Sequence, residues 1–443
     1  MLTLLLAEPL RYLPMKTPSF DGPQLHEVPE PQALFLRPGP QDHIVLSQQI
    51  SQGAPLTGVV FDPSFEKEHA ELRTEVDDRG GWTVLDPKFL ELSLSANNSA
   101  RRLGLPWSDL ATRTLQNFDE EVAQAVTAMI AKRAQSGGYS AVLAPTHFLK
   151  NGPSDRWFQK DLEMTELLRS NLNKIGLHEV PIFYPVCTPA KKFFNEFERA
   201  RFKERLSQSS IKSLWLRVAG FGSRSGRGSL VNYIRACRDL QSLGLPIIPE
   251  KTGSIGLAIL AFQSVSGLEC GVSSGESFDV LSMQRGGGNN QKRAAHARVY
   301  FPDLGCSLPK KQAEDLLNAK AALGCKNARC CKQGIPDMLQ ANRRGHFLTQ
   351  RFHEFNILSA PSAIRHSRYI DVILRKTVAT LGVVSRIDNL STGLSKRLRT
   401  EHRRTDGWLK TLEQNTDLHR FNDKDVPAFP RRIVGFRNTN VAK

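Results

Sequence analysis

Two aspartates stand in nearly the same setting, Asp62 in "TGVVFDPSF" and Asp86 in "WTVLDPKFL". Each closes a short run of apolar and β-branched residues, precedes a proline, and is followed after one small or basic residue by phenylalanine. Asp before Pro commonly caps a turn, so each alone reads as structural. Two carboxylates at neighbouring strand ends are a different matter. Like charges push each other's pKa apart, which is what an acid/base or nucleophile pair requires. Other apolar runs also end on groups that could do chemistry: His147 in "APTHF", Tyr184 in "FYPVC", Arg217 in "WLRVAG", Glu250 and Lys251 in "PEKTG", and Glu269 in "GLECG". Arg217 lies within apolar text, and a buried guanidinium needs an anion, from the protein or from a substrate.

Two Gly-rich stretches could bind anions. In "PEKTGSIG", Ser254 is expected to cap a helix whose first amides, around Gly253 and Gly256, could hold a phosphate or carboxylate. "GFGSRSGRGS" is a second basic, Gly-rich segment ahead of a helix. It lacks the Gly-Lys-Ser/Thr of a Walker loop and is no dinucleotide fingerprint. A third constellation, "CKNARCCKQGIPDMLQANRRGH", brings Cys325, Cys330, Cys331 and His346 into one short segment. Three thiolates and an imidazole suit a tetrahedral zinc site, structural rather than catalytic given its place outside the main repeat, against the plainer reading of three reduced cysteines on a helix-turn segment.

The elements that must position these groups alternate. "TGVVFDP", "WTVLDP", "SAVLAPTHF", "VPIFYPVC", "SLWLRVAGFG", "LPIIPEKTG", "SGLECGV" and "ARVYFPDLG" are eight short apolar runs. Amphipathic helical text separates most of them; in "QKDLEMTELLRSNLNKIGL" the leucines recur at helical spacing until Gly176. Continuous apolar strands each followed by a helix predict an α/β fold, a parallel (β/α)8 TIM-like barrel, with an open doubly wound sheet as the alternative. In such a barrel functional groups project from the C-terminal strand ends, which would bring Asp62, Asp86, Glu250 and Glu269 to one mouth. The expected organisation is an irregular Pro-rich arm over 1–53, the barrel over 54–323, and a helical basic C-terminal extension over 324–443 carrying the Cys/His cluster. The segment 284–296, "QRGGGNNQKRAAH", reads as a flexible insertion, and the last residues as loop.

Composition limits the function classes. The net charge is +16, and from Arg343 onward there are 20 Lys/Arg against 9 Asp/Glu, so most of the excess belongs to the last quarter. A basic module on a nearly balanced body suggests a polyanionic partner, DNA or RNA foremost, against the plainer reading of a solubilising surface. No apolar run approaches the roughly 20 residues that cross a bilayer, so no membrane partner is expected. Seven cysteines, four of them scattered, are not a secreted disulfide framework. The start "MLTLLLAEPL" has no basic segment ahead of its apolar patch, and the expected location is cytoplasmic.

A barrel followed by a Cys/Cys/Cys/His cluster and a basic helical region resembles, over residues 56–375 and as a layout, the tRNA-guanine transglycosylase family and its DNA-modifying relatives. The family's zinc signature is Cys-x-Cys-x-x-Cys with a distant His; only the residue types agree here. The resemblance implies base exchange at a nucleic-acid glycosidic bond. An Asp would attack the sugar C1′, for which Asp279 in "GESFDV" is best placed, with Asp62 or Asp86 moving protons. The target base would be flipped out of its stack. Two rivals stand beside it. One is a non-catalytic nucleic-acid-binding subunit of a larger defence or modification complex, with other protein subunits as partners. The other is a barrel enzyme for a small phosphorylated or carboxylated metabolite bound by Arg217 and Lys251.

Overall fold

The computed structural model describes residues 32–94, 104–272, 277–280, 283, 297–419 and 426–432. The 284–296 insertion and residues 1–31 of the arm lie outside the described residues. Eight parallel strands form one sheet: β1 (Ala33–Arg37), β2 (Gly58–Phe61), β3 (Trp82–Leu85), β4 (Ala141–Leu143), β5 (Ile182–Pro189), β6 (Ser213–Ala219), β7 (Ile247–Pro249) and β8 (Gly267–Gly271). Their spatial order is β7-β6-β5-β4-β3-β2-β1-β8, and a parallel bridge between Glu250 and Glu269 brings the two ends together. This is a nearly closed (β/α)8 barrel, as the alternation of runs predicts.

Two expectations about which runs build it are corrected. The first strand is "ALFLR", inside the stretch read as an irregular arm, and a helix, His43–Ser51, follows it there. The run "ARVYFPDLG" is not a barrel strand. Its β9 (Arg298–Phe301) turns at Gly305, φ 58°, and pairs antiparallel with β10 (Cys306–Pro309). The physical reason is that β1 already occupies the place between β2 and β8. The hairpin instead enters a separate core with Cys330, Cys331, Met338, Leu381 and Leu398, so it belongs to the C-terminal module.

Strand alternation sorts the barrel into two faces. Phe35, Val60, Trp82, Val84, Leu143, Phe183, Trp215 and Ile248 pack on one another in the interior. Their neighbours Leu34, Leu36, Val59, Phe61, Val142, Tyr184, Leu214 and Leu216 pack under the helices. Tyr184 therefore faces outward against Phe158 and not into the mouth. The helices follow local signals: in Glu120–Gly137, Asp119 accepts from the Val122 amide at the start, Val122, Val126 and Ile130 recur on the buried side, and left-handed Gly138 ends it.

The N-terminal end of the barrel is closed by residues 426–432. Phe429 inserts its ring edge-on to Phe35 (5.0 Å), Phe183 (5.5 Å) and Trp82 (6.0 Å). The Trp82 indole donates to the Pro430 carbonyl at 3.2 Å, and Arg432 pairs with Asp77. No described helix is long and apolar enough to cross a membrane.

Candidate functional site

The same period of two carries charge into the upper interior. Two residues beyond Phe35, Val84, Trp215 and Ile248 come Arg37, Asp86, Arg217 and Glu250, and Glu269 is the register partner of Phe35. Arg37 contacts three carboxylates at once: Asp86 at 2.5 Å, Glu250 at 3.1 Å and Glu269 at 3.1 Å. Arg217 bridges Asp86 (2.7 Å) and Glu250 (2.6 Å). Lys251 lies 3.3 Å from Glu250, and Lys88 reaches Glu91 at 2.6 Å and Asp62 at 3.8 Å. The structure thus brings Asp62, Asp86, Arg217, Glu250, Lys251 and Glu269 to one end of one barrel. Asp62 and Asp86 also cap their turns, accepting from the Ser64 and Lys88 amides at 2.9 Å.

Burial opposes every charge in this layer, and pairing decides which survive. For Asp86 and Glu250, burial raises the pKa, but Arg217 and Arg37 outweigh it and hold both carboxyls well below the usual range. Burial pulls the Arg37 guanidinium down, yet Glu250, Glu269 and Asp86 leave it firmly charged. Glu269 goes the other way: burial, then repulsion from Glu250, push it up to about 7 against the pull of Arg37. Its Oε2 is buried with no hydrogen-bond partner among the described residues. Protonating Glu269 leaves four cations (Arg37, Lys88, Arg217, Lys251) facing four carboxylates (Asp62, Asp86, Glu91, Glu250).

Above this layer Leu90, Cys187, Phe278 and Val280 form an apolar cover. Burial pushes the Cys187 thiol up to about 12, so it is a neutral packing group. On the outer side of the cover, beside the ends of β5 and β6, lies a cleft of about 970 Å3. Lys150, Arg224 and Arg298 line it, and Asp279 is the carboxylate among its described lining residues. Its wall is the 220–225 segment, where Gly220 has φ 85° and the Gly222 amide donates to Ser225 Oγ at 3.0 Å. The structure therefore separates Asp279, in the open cleft, from Asp86, Glu250 and Glu269 beneath the cover.

His147 is apart from both. Asp161 grips it twice, at Nδ1 (2.6 Å) and at its amide (2.9 Å), and Trp157 stacks on the ring at 3.6 Å. Burial raises the Asp161 carboxyl against the pull of His147. The expected anion nest at Gly253 and Gly256 takes another form. Ser254 makes no side-chain cap bond, the helix Ile255–Ala261 has seven residues, and Gly256 is buried where a Cβ would stand 2.4 Å from Thr252 Oγ1. Gly256 thus serves close packing.

Cys325, Cys330, Cys331 and His346 do converge, with their ligand atoms within 4.8 Å of one another. Cys325 and Cys330 sulfurs are 3.7 Å apart, and His346 Nδ1 is 3.7 Å from Cys330 and 3.5 Å from Cys331. Sulfur at about 2.3 Å from a tetrahedral zinc implies sulfur–sulfur edges of about 3.8 Å, so these spacings suit a metal ion such as zinc. The surroundings agree. His346 Nε2 donates to the Tyr300 carbonyl at 2.9 Å, which leaves Nδ1 as the ligand atom, and the Asn327 amide donates to Cys325 at 3.4 Å.

Arg37, the centre of the charge layer, escapes a reading of the sequence because it stands in Pro-rich text. A signal does exist: "ALFLRP" ends an apolar run on a charge and a proline, as "VVFDP" and "TVLDP" do.

No protein-family model matches the chain, and no curated protein matches it. Among solved structures it is similar to a GH138 enzyme described as targeting pectin rhamnogalacturonan II. The TM-score is 0.35 and the identity 11%, over 87% of this chain and 57% of that one. It is also similar to CpGH84B, with a TM-score of 0.36 and 11% identity over 89% of this chain and 71% of that one. The chain thus spans little more than half the length of the first of these. Likenesses at this level carry no argument about chemistry.

Proposed function

We infer that this chain is a barrel enzyme directed at a nucleic acid, with its substrate in the cleft beside β5 and β6 and Asp279 as the attacking carboxylate in a base exchange. The observation that carries this reading is the cleft's lining, in which Lys150, Arg224 and Arg298 stand with Asp279 beside the ends of β5 and β6. Three cations suit phosphate oxygens, and a carboxylate among them suits an electrophilic sugar carbon. In the exchange, an Asp279 oxygen would bond to C1′ as the C1′–N bond breaks, and the base would leave with that electron pair and take up a proton. The incoming base would reverse the sequence. Asp279→Asn is expected to lower base release from an oligonucleotide at least about a thousandfold with strand binding retained. Equal release by the variant and the parent protein would reject the assignment.

A second reading has its own support. Asp86 and Glu250 are each held by two arginines under an apolar cover, as in a self-compensated scaffold. A chain that binds strands but releases no base would be the binding subunit of a larger complex.

The Cys/His group is read as a structural zinc site that ties Cys325, Cys330 and Cys331 to the His346 helix in the C-terminal module. Elemental analysis should find one zinc per chain, and Cys331→Ser should lower both that content and the melting temperature. A metal-free protein of unchanged stability would overturn this.

A further inference from the structure

The helix Thr392–Gln414 runs beside the cleft and touches its wall at two places. Trp408 Nε1 donates to the Ser225 carbonyl at 3.0 Å, and Arg397 donates to the Ser307 carbonyl at 2.9 Å. Ser225 and Ser307 both line the cleft. At 100° per residue, the buried positions Leu394, Leu398, Glu401, Thr405, Trp408 and Leu412 fall on one side of this helix. Lys396, Arg399 and Arg403 fall on the opposite side, within about 60° of one another and over about 10 Å of axis. All three are exposed, and none makes an ion pair among the described residues. By contrast Lys410, further along, is matched by Asp406 at 2.7 Å.

The row connects to the cleft. Gly407 lies on the same side of the helix, and a Cβ there would be 3.9 Å from Arg227 Cδ, so the Arg227 stem lies against the helix at that point. Arg227 begins the helix that follows the cleft wall, three residues after Arg224. Three uncompensated cations in a row, continued by Arg227 and Arg224 into a cavity, match a chain of regularly spaced anions and exceed what one mononucleotide could fill.

We propose that Lys396, Arg399 and Arg403 form a track for the phosphodiester backbone of a nucleic-acid strand whose adjoining nucleotide occupies the cleft. This deepens the nucleic-acid reading of the cleft and rests on it: the substrate is a polymer held over several phosphates, not a free nucleotide.

The test uses the full chain, fluorescent 20-nucleotide DNA and RNA strands, and a salt series. The variants are Arg224→Glu in the cleft and the triple Lys396→Glu/Arg399→Glu/Arg403→Glu, whose exposed positions leave the fold intact by circular dichroism. The triple variant is expected to weaken 20-mer binding at least about tenfold. It should also flatten the log affinity against log salt slope by about 2, from roughly 0.7 per lost single-strand contact. Binding by the triple variant with unchanged affinity and slope would overturn the track while leaving an Arg224→Glu effect to support the cleft. Absence of strand binding by the parent protein would overturn both. Binding instead to phosphatidylcholine vesicles with one-fifth phosphatidylserine, lost in the triple variant, would reassign the row to a lipid surface.

Discussion

Replacing Arg37 by methionine is expected to destabilise the fold by about 3–5 kcal/mol in urea denaturation at pH 7, because removing one partner of a buried ion pair leaves the other uncompensated. Here one guanidinium serves Asp86, Glu250 and Glu269, all nearly free of solvent, and Arg217 reaches only the first two. Without Arg37, Glu269 loses the Nε donor at 3.1 Å and the strongest cation opposing Glu250, with Lys251 and Arg217 left to act on it. Adding Glu269→Gln should therefore recover part of the loss. A single variant within about 1 kcal/mol of the parent protein would mean that paired charge does not hold this layer.

The same layer sets a pH signature. Glu269 has its folded pKa raised to about 7 from an ordinary 4.5, so its contribution is complete below 4.5 and is lost as pH rises through 7. Asp86 and Glu250 are depressed, so theirs is present above the ordinary carboxylate range and is lost as pH falls. Each pH unit between the two Glu269 values corresponds to about 1.4 kcal/mol. Relative to the parent protein, Glu269→Gln alone should therefore gain up to about 3 kcal/mol between pH 4.5 and pH 8, read from urea denaturation across that range.

The second large effect belongs to the other end of the barrel. Phe429→Ala should cost about 3–5 kcal/mol, the range for emptying an aromatic site that cannot collapse. The ring fills the interior between Phe35, Trp82 and Phe183, side chains fixed by eight hydrogen-bonded strands, so the cavity would persist. Thermal unfolding of Phe429→Ala beside Arg432→Ala separates the plug from the surface pair with Asp77, which should matter less. A loss below about 1 kcal/mol for Phe429→Ala would show that the segment 426–432 only lies against the barrel.

Much of this architecture is legible in the sequence. "GVVF", "WTVL" and "SLWLRVA" carry their strand character in β-branched and aromatic residues, and Arg37, Asp86, Arg217 and Glu250 each stand two positions beyond an interior apolar residue. The Cys/His set is legible because thiol and imidazole in one short segment suggest few other uses. Phe429 is not, since nothing local marks a phenylalanine between two prolines in a polar tail as the plug of a core. Tyr184 misleads for a related reason: a tyrosine near a strand end reads as a mouth residue until the register shows Phe183 and Cys187 facing inward.

Local order along the chain determined the alternation of strands and helices, the parallel barrel it implies, and the residue types gathered at the strand ends. Which run closes the ring, and which charge meets which, only the tertiary structure decided. Arg37 pairs with Asp86 49 positions away and with Glu269 232 positions away. Such pairings exist only once "ALFLR" has entered between β2 and β8, a choice made by the summed hydrogen bonding and packing of whole strands. That closure also decides that Asp86 and Glu250 are buried counter-ions while Asp279 meets solvent in the cleft.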